Sequence, residues 1–176
     1  MIPDLRKKIG SLKMVSKYLD KGSRLRLANG IIISKMIYMI NLWGSTRPTW
    51  IRKIQIIQNM AARYVTRDNR YTRISTLLNK CKWLSVNQMI IFHSLNLLWK
   101  TWYREGFTIL KEGLIRNHDG TFCEIKGRIL LTNDSWKRRT IKLWNKMTTT
   151  LRMEDNAATF KVGLKDWILE NVKVKI

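Results

Sequence analysis

Hydrophobic residues recur at three- and four-residue steps along most of the chain, and this spacing predicts helices. The first such run consists of Leu5, Ile9, Leu12, Val15 and Leu19. Asp20 to Ser23 interrupts the run, and Ser23 is the expected N-cap of a second helix. That helix continues to about Trp43, where Gly44 ends it.

A third helix is predicted to begin at Pro48, because proline suits the first helical turn. Its apolar face consists of Trp50, Ile54, Ile57, Ala61 and Tyr64. Thr66–Tyr71 is polar and predicts a loop, and a short helix follows at about Thr72–Asn79. Ser85 is expected to cap a long helix at about Val86–Tyr103. That helix is apolar almost all round, which is typical of a central core helix.

The stretch Gly106–Asn133 differs from the rest because it holds four glycines. His118-Asp119-Gly120 predicts a tight turn, and Thr121–Ile125 with Arg128–Leu131 predicts a small hairpin. Asp134 or Ser135 is expected to cap a further helix. Asn156 is expected to cap the last one, whose apolar face is formed by Ala157, Phe160, Leu164, Trp167 and Ile168.

The pattern therefore predicts an all-α fold of about six to seven helices in a bundle-like arrangement, with at most a short β-hairpin near 114–132. The predicted segments are a basic helical hairpin at 1–45, a helical core region at 46–105, a glycine-containing linker or small hairpin at 106–133, and a C-terminal helical pair at 134–176. The most apolar stretch, Ile31–Trp43, has 13 residues and contains Lys35. A membrane span needs about 20 residues, so we predict a buried helix and no transmembrane segment.

The net charge of the chain indicates the class of partner that it binds. The 176 residues include 34 Lys and Arg against 12 Asp and Glu, a formal net charge of +22. Such an excess attracts polyanions, and nucleic acid is the commonest, because neutralised phosphates release their counterions. An anionic membrane surface is the main alternative. Hydrophobic residues make up 45% and there are eight tryptophans, so the chain can bury a core despite its charge.

We expect phosphate contacts from cations that lie outside the apolar helix faces. Most belong to the first basic helix and the turn after it: Arg6, Lys7, Lys8, Lys13, Lys17, Lys21, Arg24 and Arg26. Arg63 is a further candidate, as are Arg138, Lys142 and Lys146, which are spaced four residues apart. Tryptophans interleave with cations at Trp43–Lys53, Trp99–Arg104 and Trp136–Arg139. These tryptophans either stack on bases or belong to the core, and helical spacing favours the core for most of them.

No constellation for catalysis is recognisable. The seven aspartates are scattered, and no glycine-rich phosphate loop occurs. His93 lies in the apolar helix, where a core histidine is more common than a metal ligand. Cys81 precedes Lys82, whose charge is expected to lower the thiol pKa, but no paired base is identifiable. We predict no metal, no cofactor and no small-molecule substrate. Cys81 and Cys123 are read as free thiols of a reducing, intracellular compartment, since no signal peptide precedes them.

Five motifs in order resemble the region that follows the palm in reverse transcriptases of non-LTR (LINE-type) retrotransposons, especially Jockey-like elements. Leu5–Ser45 is similar to their thumb segment, in which a basic helix leads into an apolar helix; this chain keeps Tyr38 and Trp43-Gly44 of its closing pattern. Ile54–Val65, which contains Gln58, resembles the helix that follows.

The later motifs extend the resemblance over nearly the whole chain. Lys82–Val86, with Trp83 and Leu84, resembles a "gWLpv" motif, and Lys126–Leu131, Ser135–Arg139 and Leu143-Trp144-Asn145 resemble the family's tail pattern. Phe160 to Trp167 matches the closing motif. There are three departures: Lys82 stands for a common glycine, Ser85 for a common proline, and Met147-Thr148 for Leu-Pro.

The resemblance implies a non-catalytic, nucleic-acid-binding C-terminal fragment of an RNA-directed DNA polymerase. The palm, with its catalytic aspartates, and the fingers would then lie upstream and be partners of this region, which would grip RNA or an RNA–DNA duplex in the nucleus or cytoplasm. Polymerase activity by this chain alone is not expected. An independent, repurposed RNA-binding module and, less favoured, a membrane-surface amphipathic protein are the alternatives.

Overall fold

The computed structural model describes residues 2–38, 40–104, 111–112, 114–123 and 136–172. These residues form an all-α fold, as predicted. The helices are α1 (Ile2–Val15), α2 (Lys21–Ala28), α3 (Ser34–Ile37), α4 (Ile40–Trp43), α5 (Pro48–Thr66), α6 (Ile74–Cys81), α7 (Val86–Tyr103), α8 (Trp136–Trp144), α9 (Thr149–Arg152) and α10 (Ala157–Asn171). Among the described residues, seven of them have eight residues or more.

The chain divides into two compact units within α7, after Met89. In the first unit α5 is the central element, and α1, α2 and α6 pack against it. The predicted apolar face of α5 is buried at Ile54, Ile57, Ala61 and Tyr64, but Trp50, in the first turn, is 51% exposed. Leu5, Ile9 and Leu12 of α1 are buried as their spacing predicts, whereas Val15 is exposed.

The segment predicted as one helix from Ser23 to Trp43 is divided in the structure. Asp20, not Ser23, is the N-cap: its carboxylate accepts hydrogen bonds from the backbone N–H groups of Gly22 and Ser23. A π-helical turn at Asn29–Ile33 separates α2 from α3, and the extended ψ of Tyr38 ends α3. The end after Trp43 is confirmed, since α4 stops there and the Gly44 N–H bonds to the Ile40 carbonyl at 2.7 Å.

A capping box begins α7. The Ser85 hydroxyl accepts from the Gln88 N–H, and the Gln88 side chain accepts from the Ser85 N–H at 3.0 Å. The predicted bounds of this helix, Val86–Tyr103, are confirmed. Asn156 caps α10 as predicted, with its side-chain oxygen accepting from the Ala158 and Thr159 N–H groups.

The second unit is built around an aromatic cluster. Trp99 and Phe160 stack with ring centroids 5.4 Å apart, and Phe122 and Trp144 lie 5.6 Å apart. The buried indoles also donate hydrogen bonds: Trp99 to the Glu154 carbonyl at 2.7 Å and Trp144 to the Gly120 carbonyl at 2.9 Å. Aromatic rings therefore supply the largest side chains of this core, and the indole donors fix its loops.

The tight turn predicted at His118-Asp119-Gly120 is present, with Gly120 at a positive φ of 78°. Phe122 pairs with Arg116 in an isolated antiparallel bridge. The predicted pairing of Thr121–Ile125 with Arg128–Leu131 falls mostly outside the described residues, as do the predicted caps Asp134 and Ser135 and the segment boundaries at 105/106 and 133/134. In the described part of the chain no helix has both the length and the apolar character needed to cross a bilayer.

Candidate nucleic-acid interface

Positive charge is concentrated in the first half of the sequence. Residues 1–89 hold 18 Lys and Arg against three Asp and no Glu, whereas the other 87 residues hold 16 against nine. The first unit is thus the more basic part of the chain by a wide margin. The structure describes all three Asp side chains of this part of the chain, so the partner of each carboxylate can be named.

Each of those three carboxylates has a structural partner. Asp4 pairs with Lys35 and, at 3.8 Å, with Lys8. Asp20 caps α2, and Asp68 pairs with Lys80 at 2.8 Å. These bonds lower the pKa of all three carboxyl groups below the ordinary value: the Lys35 hydrogen bond does so for Asp4, the Ser23 side chain and the α2 backbone for Asp20, and the Lys80 hydrogen bond for Asp68. The three carboxylates are therefore ionised at neutral pH, and each is engaged in an ion pair or in hydrogen bonds within the protein.

The cations predicted on the first helix lie on its solvent face. Arg6, Lys7 and Lys13 are exposed on α1, outside the face that buries two leucines and an isoleucine. Lys8 is half-buried and pairs with Asp4, which also pairs with Lys35. The negative charge of Asp4 weakens the attraction of Lys8 for a phosphate. Lys17 is exposed in the 3-10 turn Ser16–Tyr18 that follows.

The structure corrects one predicted phosphate contact, Arg24. This side chain is only 6% exposed, and its guanidinium donates to the Val65 carbonyl at 3.0 Å and to the Leu19 carbonyl at 2.6 Å. Val65 lies in the last turn of α5, where helix carbonyls lack intrahelical partners. Arg24 therefore fastens α2 to the end of α5. Its neighbours Lys21 and Arg26 are exposed and remain candidates.

The end of α5 brings further cations to the same place. Arg67 ends the helix in a left-handed conformation, φ 57°, and its guanidinium donates to the Ser16 carbonyl. Arg63 is half-buried and donates to the Arg70 carbonyl at 3.2 Å. Cations near a helix C-terminus also interact favourably with its dipole. The Ser16–Tyr18 turn and the loop after α5 are thereby held together.

Two exposed tyrosines project from these two segments. Tyr18 is 77% exposed and Tyr71 is 78% exposed. Lys17 lies 4.9 Å from the centroid of the Tyr18 ring, and Arg70 lies 4.9 Å from that of Tyr71. Each pair is a cation–π contact at the surface.

We call this surface the basic junction. It comprises Lys17, Tyr18, Lys21, Arg67, Arg70 and Tyr71. Lys21 belongs to it because it is exposed at the start of α2, three residues after Tyr18. The pKa of Asp68 in the adjoining loop is lowered mainly by the Lys80 hydrogen bond, and the charge of Lys21 adds the smallest contribution. The sequence prediction named Lys17 and Lys21 but missed the other four. The adjacent pairs Lys17-Tyr18 and Arg70-Tyr71, both outside the apolar stripes, were the available signal.

The remaining predicted cations lie in the second unit. Arg138 is half-buried on α8, Lys142 is exposed on that helix, and Lys146 is exposed in the turn after it. This unit also carries exposed acids, including Asp155, Asp166 and Glu170.

The motif residues of the first unit hold its framework. Gln58 is fully buried and donates to the Leu84 carbonyl at 2.7 Å. The Trp83 indole donates to the Asn29 side chain at 2.9 Å, and the Trp43 indole donates to the Tyr38 carbonyl at 3.1 Å. Gly44 is buried, whereas the Tyr38 ring is 70% exposed.

The motif residues of the second unit also stabilise its framework. Trp144 and Phe160 are fully buried with ring centroids 5.9 Å apart. Asn145 makes two hydrogen bonds to the Phe122 backbone. Trp167 is half-buried and lines a surface pocket of about 330 Å³ with Leu151, Gly163 and Asp166.

Of the thiol and the histidine considered for chemistry, Cys81 is buried and His93 is half-buried. Burial raises the pKa of the Cys81 thiol to about 11, so the expectation that Lys82 lowers it is wrong. Burial, with a smaller effect from the charge of Lys100, lowers the pKa of His93. Over the described ranges no group of three His, Cys, Asp or Glu side chains is placed to hold a metal ion. What the described surface offers is cations and aromatic rings.

No protein-family model, no curated protein and no solved structure matches this chain. The likeness to retrotransposon polymerases therefore rests on the ordered motifs alone.

Proposed function

We propose that this chain binds nucleic acid through the cations of its first unit, largely without base specificity. The observation that carries the proposal is the charge of residues 1–89, where 18 Lys and Arg face three Asp, each with a structural partner. Exposed cations without nearby carboxylates are free to neutralise phosphates, and the release of counterions drives such binding.

We further propose that the chain is the post-palm portion of a non-LTR retrotransposon reverse transcriptase, or a descendant of one. Five motifs in the family's order support this origin, from Leu5–Ser45 to Phe160–Trp167. The proposed ligands are RNA and RNA–DNA duplex. Primer extension by the purified chain is not expected, and a DNA product in that assay would contradict the proposal.

The binding is tested by titrating a labelled RNA–DNA duplex against the full chain at salt concentrations from about 50 to about 200 mM. The logarithm of the association constant should fall linearly with the logarithm of salt concentration. The double variant Lys7→Ala/Lys13→Ala should reduce the slope by about one for each phosphate that the protein no longer neutralises. An affinity that does not change with salt would contradict the proposal.

The matched control is Lys161→Ala/Lys165→Ala, which removes two exposed lysines from α10 in the second unit. Both double variants lower the net charge by the same amount. A larger effect of the α1 variant assigns the binding to the first unit. Equal effects would show that only overall charge matters, which opposes an interface on α1.

An independent, repurposed RNA-binding module is the second candidate, because each unit has its own buried core, with Ile57 central to one and Trp99 to the other. It predicts the same salt dependence but a monomeric chain with sharp thermal melting. A fragment separated from a palm should instead aggregate or melt over a broad range. Calorimetry with light scattering distinguishes the two.

A further inference from the structure

We infer that Tyr18 and Tyr71 are stacking platforms for unpaired bases, so that the basic junction binds single-stranded segments in preference to blunt duplex. This inference deepens the proposed function and rests on it. Tyr71 lies outside the segments that resemble the retroelement family, and Tyr18 lies within Leu5–Ser45 but is not one of its motif residues. The inference specifies the form of nucleic acid that the first unit binds.

The exposure of these rings is the first observation. Tyr64, also in the first unit, is 4% exposed, which shows that the unit can bury a tyrosine. Tyr18 and Tyr71 instead leave more than three quarters of their surface in water. Neither ring contributes to the core, so their side chains are available to an outside ligand.

The paired cations are the second observation. A cation over one ring face leaves the opposite face open, and the same cation can reach a phosphate of the strand whose base stacks on the ring. Lys17 and Arg70 occupy these positions at Tyr18 and Tyr71, respectively, each 4.9 Å from the ring centroid. Single-strand-binding surfaces combine these two features: aromatic rings for the bases and cations for the backbone.

Hydrogen bonds connect the two segments that present these rings. The 3-10 turn that presents Tyr18 is closed by the Leu19 N–H bond to the Ser16 carbonyl at 3.2 Å. That carbonyl also accepts from Arg67. The turn that presents Tyr71 starts two residues after Arg67 and is closed by the Thr72 N–H bond to the Asn69 carbonyl at 3.1 Å. The Arg67 side chain therefore links the two presenting turns.

A duplex gives these rings little to bind, because its bases are paired and stacked on one another. A single-stranded segment exposes base faces of every sequence, so the contact tolerates any sequence, as a charge-driven interface does. Tyr18 and Tyr71 thus add selectivity for strand form without adding selectivity for sequence.

The test uses the full chain and three labelled ligands of equal length at one salt concentration: a single strand, a blunt duplex, and a single strand with abasic sites. The variant Tyr18→Ala/Tyr71→Ala should bind the single strand more weakly by roughly thirtyfold or more, with less than about a twofold change on the duplex. Tyr18→Phe/Tyr71→Phe should retain wild-type affinity because the ring remains. Wild-type protein should bind the abasic strand about as weakly as the alanine variant binds the normal strand.

Tyr38→Ala is the matched control, since this tyrosine is also 70% exposed but has no cation over its ring among the described residues. It should leave all three affinities unchanged. Equal reductions in the affinity of the Tyr18/Tyr71 alanine variant for single strand and duplex, or an abasic strand bound as tightly as a normal one, would overturn the stacking inference. If salt-dependent binding persists in that case, the proposed function stands; if no ligand binds, both fail.

Discussion

Asn145 holds the backbone of Phe122 by two hydrogen bonds. Its side-chain Oδ1 accepts from the Phe122 N–H at 2.9 Å, and its Nδ2 donates to the Phe122 carbonyl at 2.8 Å. The amide thereby pairs with Phe122 as a neighbouring strand would. The Phe122 ring is fixed against Trp144, its centroid 5.6 Å away. A motif residue is thus explained by a structural role in the second unit.

Asn145→Asp keeps the acceptor but replaces the donor with a second oxygen facing the Phe122 carbonyl. We expect it to destabilise the fold by about 2 kcal/mol, and Asn145→Ala by a similar amount, because buried backbone groups are left without partners. Urea unfolding measures the change. Lys146→Ala, the adjacent exposed residue, is the control and should have little effect. An unchanged midpoint for Asn145→Asp would contradict this role.

Arg24 and Arg26 lie two residues apart on α2 and should behave in opposite ways. Arg24→Met removes the hydrogen bonds to the Val65 and Leu19 carbonyls and should cost about 2–3 kcal/mol of stability, since bonds from a charged donor are strong. Arg26→Ala should leave stability unchanged but weaken nucleic-acid binding and its salt dependence. Unfolding curves and titrations on both variants check this. If Arg24→Met left the stability unchanged and weakened nucleic-acid binding, Arg24 would be a phosphate contact and its structural role would be contradicted.

The difference between Arg24 and Arg26 was not predictable from the sequence. Two of the long helices were located well: the bounds of α7 and the Asn156 cap of α10 are confirmed. On α2, eight residues give no clear stripe, and the partner carbonyl of Arg24 belongs to Val65, 41 positions away. Burial of a charged side chain by a distant backbone group leaves no trace in local periodicity.

The same reasoning applies to the basic junction. The exposed cations of α1 follow from its apolar spacing, because whatever is not on the buried face meets solvent. The segments that carry Tyr18 and Tyr71 are linked by the Arg67 bond to Ser16, a contact between residues 51 positions apart. For Trp50 the prediction of burial is wrong: its spacing fits the buried face of α5, but it lies in the first turn, and its side chain is 51% exposed.

Asp20 should make stability depend on pH in the acid range. Its hydrogen bonds lower the pKa of the folded-state carboxyl below the ordinary value. Its contribution is therefore complete above the ordinary pKa and is lost as pH falls through the folded one. Asp20→Ala should be less stable than wild type at pH 7, with the gap narrowing toward pH 2. Asp20→Asn, which keeps the cap oxygen, should lose less at neutral pH. A gap that stays constant with pH would oppose this role for the charge.

The two cysteines should differ sharply in reactivity. Cys81 is buried and its pKa is raised to about 11, whereas Cys123 is exposed. A thiol reagent at about pH 8 should therefore modify Cys123 quickly and Cys81 only after denaturation, because the thiolate is the reactive form. Cys123→Ser should abolish the fast phase. Loss of the fast phase in Cys81→Ser instead would contradict the burial of that thiol.

Lys82, where the retroelement motif commonly has glycine, occupies a left-handed position at the end of α6, with φ 55°. The Trp83 N–H donates to the Leu78 carbonyl at 2.9 Å and the Lys82 N–H to the Asn79 carbonyl at 3.0 Å, an arrangement that favours glycine. Lys82→Gly should therefore stabilise the fold by about 1 kcal/mol, since relief of the left-handed strain exceeds the added flexibility of the unfolded chain. Lys82→Ala removes the same charge but keeps the strain, so it should show no such gain. Thermal unfolding of the two variants separates backbone strain from charge, and equal midpoints would contradict the argument from strain.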